Sequence, residues 1–246
     1  MVSEHIVKSY DQELQRLDNI VVEMGGLTES QLASAMEALV KRDADLAAKV
    51  IETDAKVDEF EREIESLVVR LLALRQPMAR DLRQIVAALK ISTDLERIGD
   101  YATNVAKRSI ALDQITPVKP VHALPRMGRL GAAMIKDILD AYVQRDADKA
   151  IAVWLRDEEL DEMYTSLFRE LLTYMIEDPR NITTGTHLLF MAKNLERIGD
   201  HTTNIAETLY FLVNGVPMTQ IRPKGDRTSL GVTPAPQAAA GMEERG

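Results

Sequence analysis

LERIGDYATNVA, running from Leu95 to Ala106, returns a hundred residues later as LERIGDHTTNIA, Leu195 to Ala206, with nine of twelve positions identical. A block of that length repeated at a fixed distance marks a duplication. The echo extends beyond the block: at an offset of 103, Asp43-Ala44-Asp45 is matched by Asp146-Ala147-Asp148, and Asp54 and Asp58 by Asp157 and Asp161. The offset falls to 100 near Pro77 and Pro179. Proline lacks the backbone donor and restricts its predecessor, so the lost residues fall in a loop between helices and the helices keep their faces.

Composition agrees with helices. Of 246 residues, 46% are hydrophobic but only 4% aromatic, the profile of helix packing, and the length accommodates two halves of ordinary size. The expected fold is all-α: two tandem, similar three-helix bundles. Thirty basic against thirty-nine acidic side chains leave a formal charge of −9, which disfavours nucleic acid and anionic membranes as partners. The absence of cysteine excludes disulfides and thiolate metal sites. The opening MVSEHIVKSYDQELQ carries charges where a signal peptide needs an apolar run, and no stretch approaches the roughly 18 apolar residues of a membrane span. A soluble, cytoplasmic protein with no direct membrane insertion is the expectation.

Apolar positions recur at spacings of three and four through Val7, Tyr10, Leu14, Leu17, Val21 and Met24, and resume at Leu32, Ala35 and Leu39 beyond Gly25-Gly26. This predicts one long first helix with a weak or kinked centre. A second helix starts near Asp43 and carries the seam Val57, Phe60, Ile64, Leu67, Leu71 and Leu74; a third runs from about Ala79 to Leu112 with Ile91, Leu95, Ile98, Ala102 and Val105 as its stripe. Helices four to six repeat the scheme from about Leu124 to Val143, Asp146 to Ile176 and Asn181 to Val213. The organisation read from this is a first bundle over 1–112, a linker over 113–122 holding Pro117 and Pro120, a second bundle over 123–215, and a tail over 216–246 expected to be disordered for want of apolar periodicity. Met24, Met36, Met134, Met163, Met175 and Met191 are read as core, as are Trp154 and Phe168.

On a helix advancing about 100° per residue, Glu96, Asp100, Thr103 and Asn104 lie within about a quarter turn, away from the Ile91/Leu95/Ile98/Ala102 stripe. Glu196, Asp200, Thr203 and Asn204 reproduce this. The preceding helix of each half adds Asp54/Asp58 and Asp157/Asp161. Like charges four apart on a helix repel, and a cation reverses the sign. Carboxylates from two adjacent helices plus an Asn oxygen form the oxygen-rich donor set suited to Mg, Mn, Fe or Zn. Gly99 and Gly199 cost helix stability and are expected to let a neighbouring helix approach. The plainer reading of the same residues is a solvated acidic face with Arg97 and Arg197 as counterions. His201 has Tyr101 as its counterpart and is assigned a packing or surface role; His5, His122 and His187 lack ligand spacing.

These blocks, together with Met24-Gly25-Gly26-Leu27 in the first helix and the order in which they occur, resemble the PhoU family of phosphate-signalling proteins from His5 to Gly215. The resemblance implies two three-helix bundles side by side, homodimers, and E/DxxxD motifs that bind multinuclear metal clusters. Carried over by position, the implied ligands are Asp54, Asp58, Glu96 and Asp100 in one half and Asp157, Asp161, Glu196 and Asp200 in the other, joined by Asn104 and Asn204. It further implies a negative regulator of phosphate uptake and of the phosphate-starvation response, an adaptor between the ATPase and permease subunits of a phosphate ABC transporter and a sensor histidine kinase. This sequence departs from strict internal symmetry at Asn194, facing Asp94 in the alignment, and at Lys193, facing Thr93, so the two metal sites are expected to differ in charge and occupancy.

Two other functions compete. A carboxylate-bridged di-metal oxidase needs Glu-x-x-His on its helices, and here the third residue after Glu96 is Gly99 and after Glu196 is Gly199. No P-loop is present. Direct phosphate sensing is opposed by the acidic charge unless a metal bridges the two. A metal-independent helical scaffold is the alternative to the metal-binding adaptor, and no catalytic residue is expected.

Overall fold

The computed structural model describes residues 2–113 and 122–219, with side chains from residue 9 onward. Among them are six α-helices and no strand: α1 (Val2–Lys41), α2 (Ala44–Arg75), α3 (Ala79–Asp113), α4 (Leu124–Gln144), α5 (Ala147–Glu177) and α6 (Ile182–Asn214), with a 3-10 turn at Pro179–Asn181 leading into α6. Most of the predicted linker and the tail from residue 220 lie outside the described residues, as does the side chain of Val7.

The repeated Asp-Ala-Asp segments are helix starts. Asp43 and Asp146 each take an extended conformation, and their carboxylates accept hydrogen bonds from the backbone amides of Leu46 and Lys149. Amides that the first turn leaves without a partner are thereby satisfied. α1 runs uninterrupted through Gly25-Gly26, and Gly25 is required there because a Cβ would collide with Leu139 of α4. α2 ends at a left-handed Gln76 just before Pro77, and α6 ends at Gly215, whose φ is 74°.

The predicted stripes are the core: Leu17, Val21, Met24, Ile64, Ile91, Leu95 and Ile98 are almost wholly buried, and so is Trp154. Leu74 is a correction to the α2 seam. It is 70% exposed, and in the last turn of α2 it is Arg75, bonded to Glu13 and Ser9, that faces α1. Tail residue Met218 also differs from expectation, since it packs on the core after the chain turns at Gly215.

α1–α3 and α4–α6 each form a bundle, but the halves are fused. α3 packs along α6, and α1 along α4, so one continuous apolar core runs through both. His201 Nδ1 lies 2.8 Å from Asp94 Oδ1 across the α3–α6 seam, and its ring packs at a tilt against that of Tyr101. No described helix is long and apolar enough to cross a membrane.

Candidate functional site

In each half the second and third helices run antiparallel across a short connection, which sets the acidic pair of one against the ladder of the other. In the first half, Asp54 and Asp58 of α2 and Glu96 and Asp100 of α3 act on one another, and Glu61, one turn beyond Asp58, joins them. The Glu96 side chain is 19% exposed and that of Asp100 is 42% exposed. Burial, then the charge of Asp100, lifts the Glu96 carboxyl from its ordinary 4.5 to about 7, with Glu61 and Asp58 adding to the rise. Burial and the charge of Asp54 likewise raise Asp100, and burial raises Glu61. Arg97 is the nearby counterion, 3.5 Å from Glu96 and 3.4 Å from Asp100, and it is too exposed to cancel these effects.

The floor of this cluster is a glutamine. Gln31 of α1 is only 2% exposed, and its amide nitrogen donates to Asp54 Oδ1 at 3.2 Å and to Thr103 Oγ1 at 2.8 Å. Its Oε1 accepts no hydrogen bond among the described residues. A Cβ on Gly99 would stand 3.1 Å from that oxygen, so the glycine makes room for the amide.

The second half uses the same frame differently. Asp157, Asp161 and Glu196 are 1%, 3% and 4% exposed, a correction to the expectation that the ladder stays off the buried face. The cause is a closer approach of α5 to α6. A Cβ on Gly199 would fall 2.6 Å from Asp157 Oδ1 and 2.7 Å from Leu160, so only glycine lets that carboxylate lie on α6. Lys193 Nζ donates to Glu196 Oε1 at 2.7 Å and sits 4.9 Å above the Tyr164 ring, while Arg197 reaches Asp200 at 3.3 Å. Burial still pushes Glu196 up, against the pull of the lysine. Its Oε2 accepts no hydrogen bond among the described residues, and Arg197 Nε lies 4.0 Å from it.

The structure thus gathers Asp54, Asp58, Glu96 and Asp100 at one face, and seats Asp157 and Glu196 along the α5–α6 contact. Asn104 is exposed, and Asn204 turns away from the second ladder to donate to Asp94 across the seam. Among the described residues no three His, Asp or Glu side chains close on a single point. The first cluster nevertheless fits a hard cation: partly exposed carboxylates, of which Glu96 and Asp100 are pushed up by burial and then by their acidic neighbours, with a buried Gln31 amide oxygen that accepts no hydrogen bond among the described residues beneath them.

Sequence reasoning missed Gln31 and Glu61. Gln31 was visible as a polar residue in register with Met24 and Ala35 on the apolar stripe of α1, and Glu61 as the next rung after Asp54 and Asp58.

The PhoU domain profile matches residues 21–109 and again 124–209, one copy on each half. The chain belongs to the PhoU family. Among its PhoU-family relatives is the phosphate-specific transport system accessory protein PhoU homolog of Caulobacter vibrioides, 53% identical over 226 residues that cover 92% of this chain and 98% of the relative. The homolog of the same name from Rhizobium meliloti is 50% identical, covering 92% and 95%. Crystal structures of PhoU from Pseudomonas aeruginosa and of the phosphate transport system regulatory protein PhoU from Streptococcus pneumoniae superpose with TM-scores of 0.82 and 0.80, at 40% and 31% identity, covering 84% and 86% of this chain and 100% of each of theirs.

Proposed function

We propose that this PhoU-family chain is an accessory regulator of phosphate-specific transport: a cytoplasmic, homodimeric, metal-binding adaptor that represses phosphate uptake and the starvation response by linking a phosphate ABC transporter to a sensor histidine kinase. It is not an enzyme in this reading. The observation that carries it is the partly exposed α2–α3 carboxylate cluster within a chain matched over 92% of its length by proteins named for the phosphate-specific transport system. A divalent cation such as Mn, Zn, Fe or Mg would be held by Asp54, Asp58, Glu96 and Asp100, with Glu61 at its edge, and would supply positive charge that ties α2 to α3. Asp157, Asp161, Glu196 and Asp200 are the positional counterparts of these residues in the second half. The absence of Glu-x-x-His imidazoles supports regulation over oxidase chemistry.

The test is affinity capture from cells grown with high and low phosphate, with captured proteins scored by mass spectrometry. Transporter ATPase or permease subunits and a sensor kinase should be enriched, and a phosphate-responsive reporter should stay on when the gene is deleted. Neither enrichment nor derepression would end the adaptor reading. Elemental analysis alongside Glu96→Ala and Glu196→Ala separates it from the metal-independent scaffold, for which a metal-free protein regulates fully.

A further inference from the structure

The two ladders are duplicates in sequence but not in charge. Glu61 in the first half corresponds to Tyr164 in the second at the offset of 103, and Thr93 to Lys193 at the offset of 100. The first cluster therefore has five carboxylates against Arg97, a formal −4; the second has four against Lys193 and Arg197, a formal −2. The added lysine is not a loose surface cation. Its ammonium lies 2.7 Å from a Glu196 carboxylate that is 5% exposed, and is backed by the Tyr164 ring that replaces Glu61. A cation over an aromatic face and against a desolvated carboxylate is held by both. In the first half the corresponding ground is taken by groups that accept a cation: Glu61, the ladder carboxylates, and the buried Gln31 amide, whose Oε1 lacks a hydrogen bond. The counterpart of Gln31 is Met134, which offers no such oxygen.

We propose that Lys193 is a tethered substitute for a metal ion, so that the second cluster is partly neutralised from within and the first is the divalent-cation site of this chain. The proposal rests on the metal-binding reading above and assigns the metal to one half. The duplication then yields two different parts. The second ladder clamps α5 to α6 permanently, whereas the first clamps α2 to α3 only when a cation is present.

Equilibrium dialysis of the full chain against Mn2+, and in parallel Zn2+, with the bound metal counted by elemental analysis, tests this. Tight uptake by the wild type should vanish in Glu96→Gln and persist in Glu196→Gln. Lys193→Thr, which copies the first half, should add uptake at the second cluster that Glu196→Gln then removes. The reciprocal Thr93→Lys should weaken the first site by about tenfold or more, as a fixed positive charge within reach of the ion does. Circular dichroism confirms that each variant is helical, and if Thr93→Lys fails to fold the Lys193→Thr pair decides alone. Uptake that is equal at both clusters and unmoved by Lys193→Thr overturns the tethered-cation proposal while leaving metal binding standing. No uptake of either ion by the wild type overturns both.

Discussion

Single glycines decide how close the helices of the candidate site come. Gly199 has Asp157 Oδ1 at 2.6 Å and Leu160 Cδ2 at 2.7 Å from the place a methyl would occupy, and Asp157 is locked inside the α5–α6 contact. Gly199→Ala should therefore lose about 1–3 kcal/mol through overpacking, despite the helix propensity it gains. Gly26, on the exposed side of α1, has nothing within 4 Å. Gly26→Ala should gain about 0.5–1 kcal/mol from propensity alone. Gly99→Ala falls between, because Gln31 Oε1 at 3.1 Å and Val57 Cγ1 at 3.3 Å must each yield slightly. Thermal melts of the three variants check the order. If Gly199→Ala melts no lower than Gly26→Ala, the close approach of α5 is not what that glycine serves. From sequence, Gly99 and Gly199 could be read as points of approach, but not what approaches. The same position meets a glutamine from α1 in one half and an aspartate from α5 in the other.

At the scale of the helix, the acidic ladder of α3 makes stability depend on pH in a direction that a cation should reverse. Glu96 has its carboxyl at about 7 in the folded chain against an ordinary 4.5, so between those values the folded state holds a proton that the unfolded chain has released. The stabilisation this brings is complete below 4.5 and is lost as the pH rises through about 7. Asp100, shifted the same way, adds to the fall. Chelator-treated protein should thus melt lower at pH 7.5 than at pH 5, Glu96→Gln should flatten much of that slope, and added Mn2+ should raise the melting temperature most at pH 7.5, where the carboxylates are charged. A slope unchanged in Glu96→Gln would place its origin elsewhere. Periodicity was enough to predict that these carboxylates lie on one side of α3, because azimuth is a property of a single helix. Burial was not legible. It depends on the neighbour, so Glu196 and Asp157 vanish into the α5–α6 contact while their counterparts Glu96 and Asp54 stay partly open. The Leu74 misreading has the same origin: the stripe continues in sequence, but in the last turn of α2 the side toward α1 is held by Arg75 through Glu13 and Ser9.

For the whole molecule, the duplication predicted two bundles, and the sequence carried no sign of how firmly they would join, since the residues at the seam break the repeat. Asp18 of α1 shows this. It accepts a 2.6 Å hydrogen bond from Tyr142 of α4, pairs with Arg145 at the end of α4, and takes a third bond, at 3.0 Å, from Gln84 of α3. Tyr142 is 1% exposed, and burial together with the Asp18 charge pushes its phenol well above the ordinary range, so it remains a donor. The Arg145 guanidinium lies 4.4 Å from the centre of the Tyr142 ring, which completes a clamp between the halves. Asp18→Ala leaves a buried hydroxyl and a half-buried guanidinium without their acceptor, at a cost of about 2–4 kcal/mol. Because the apolar core is continuous across α1–α4 and α3–α6, that loss should lower a single unfolding transition and not split it in two. Calorimetry distinguishes the cases. One peak shifted down in Asp18→Ala, with its calorimetric and van't Hoff enthalpies still equal, means that the halves fold as one unit; a low-temperature shoulder means that each bundle is stable by itself and the seam is only a docking surface.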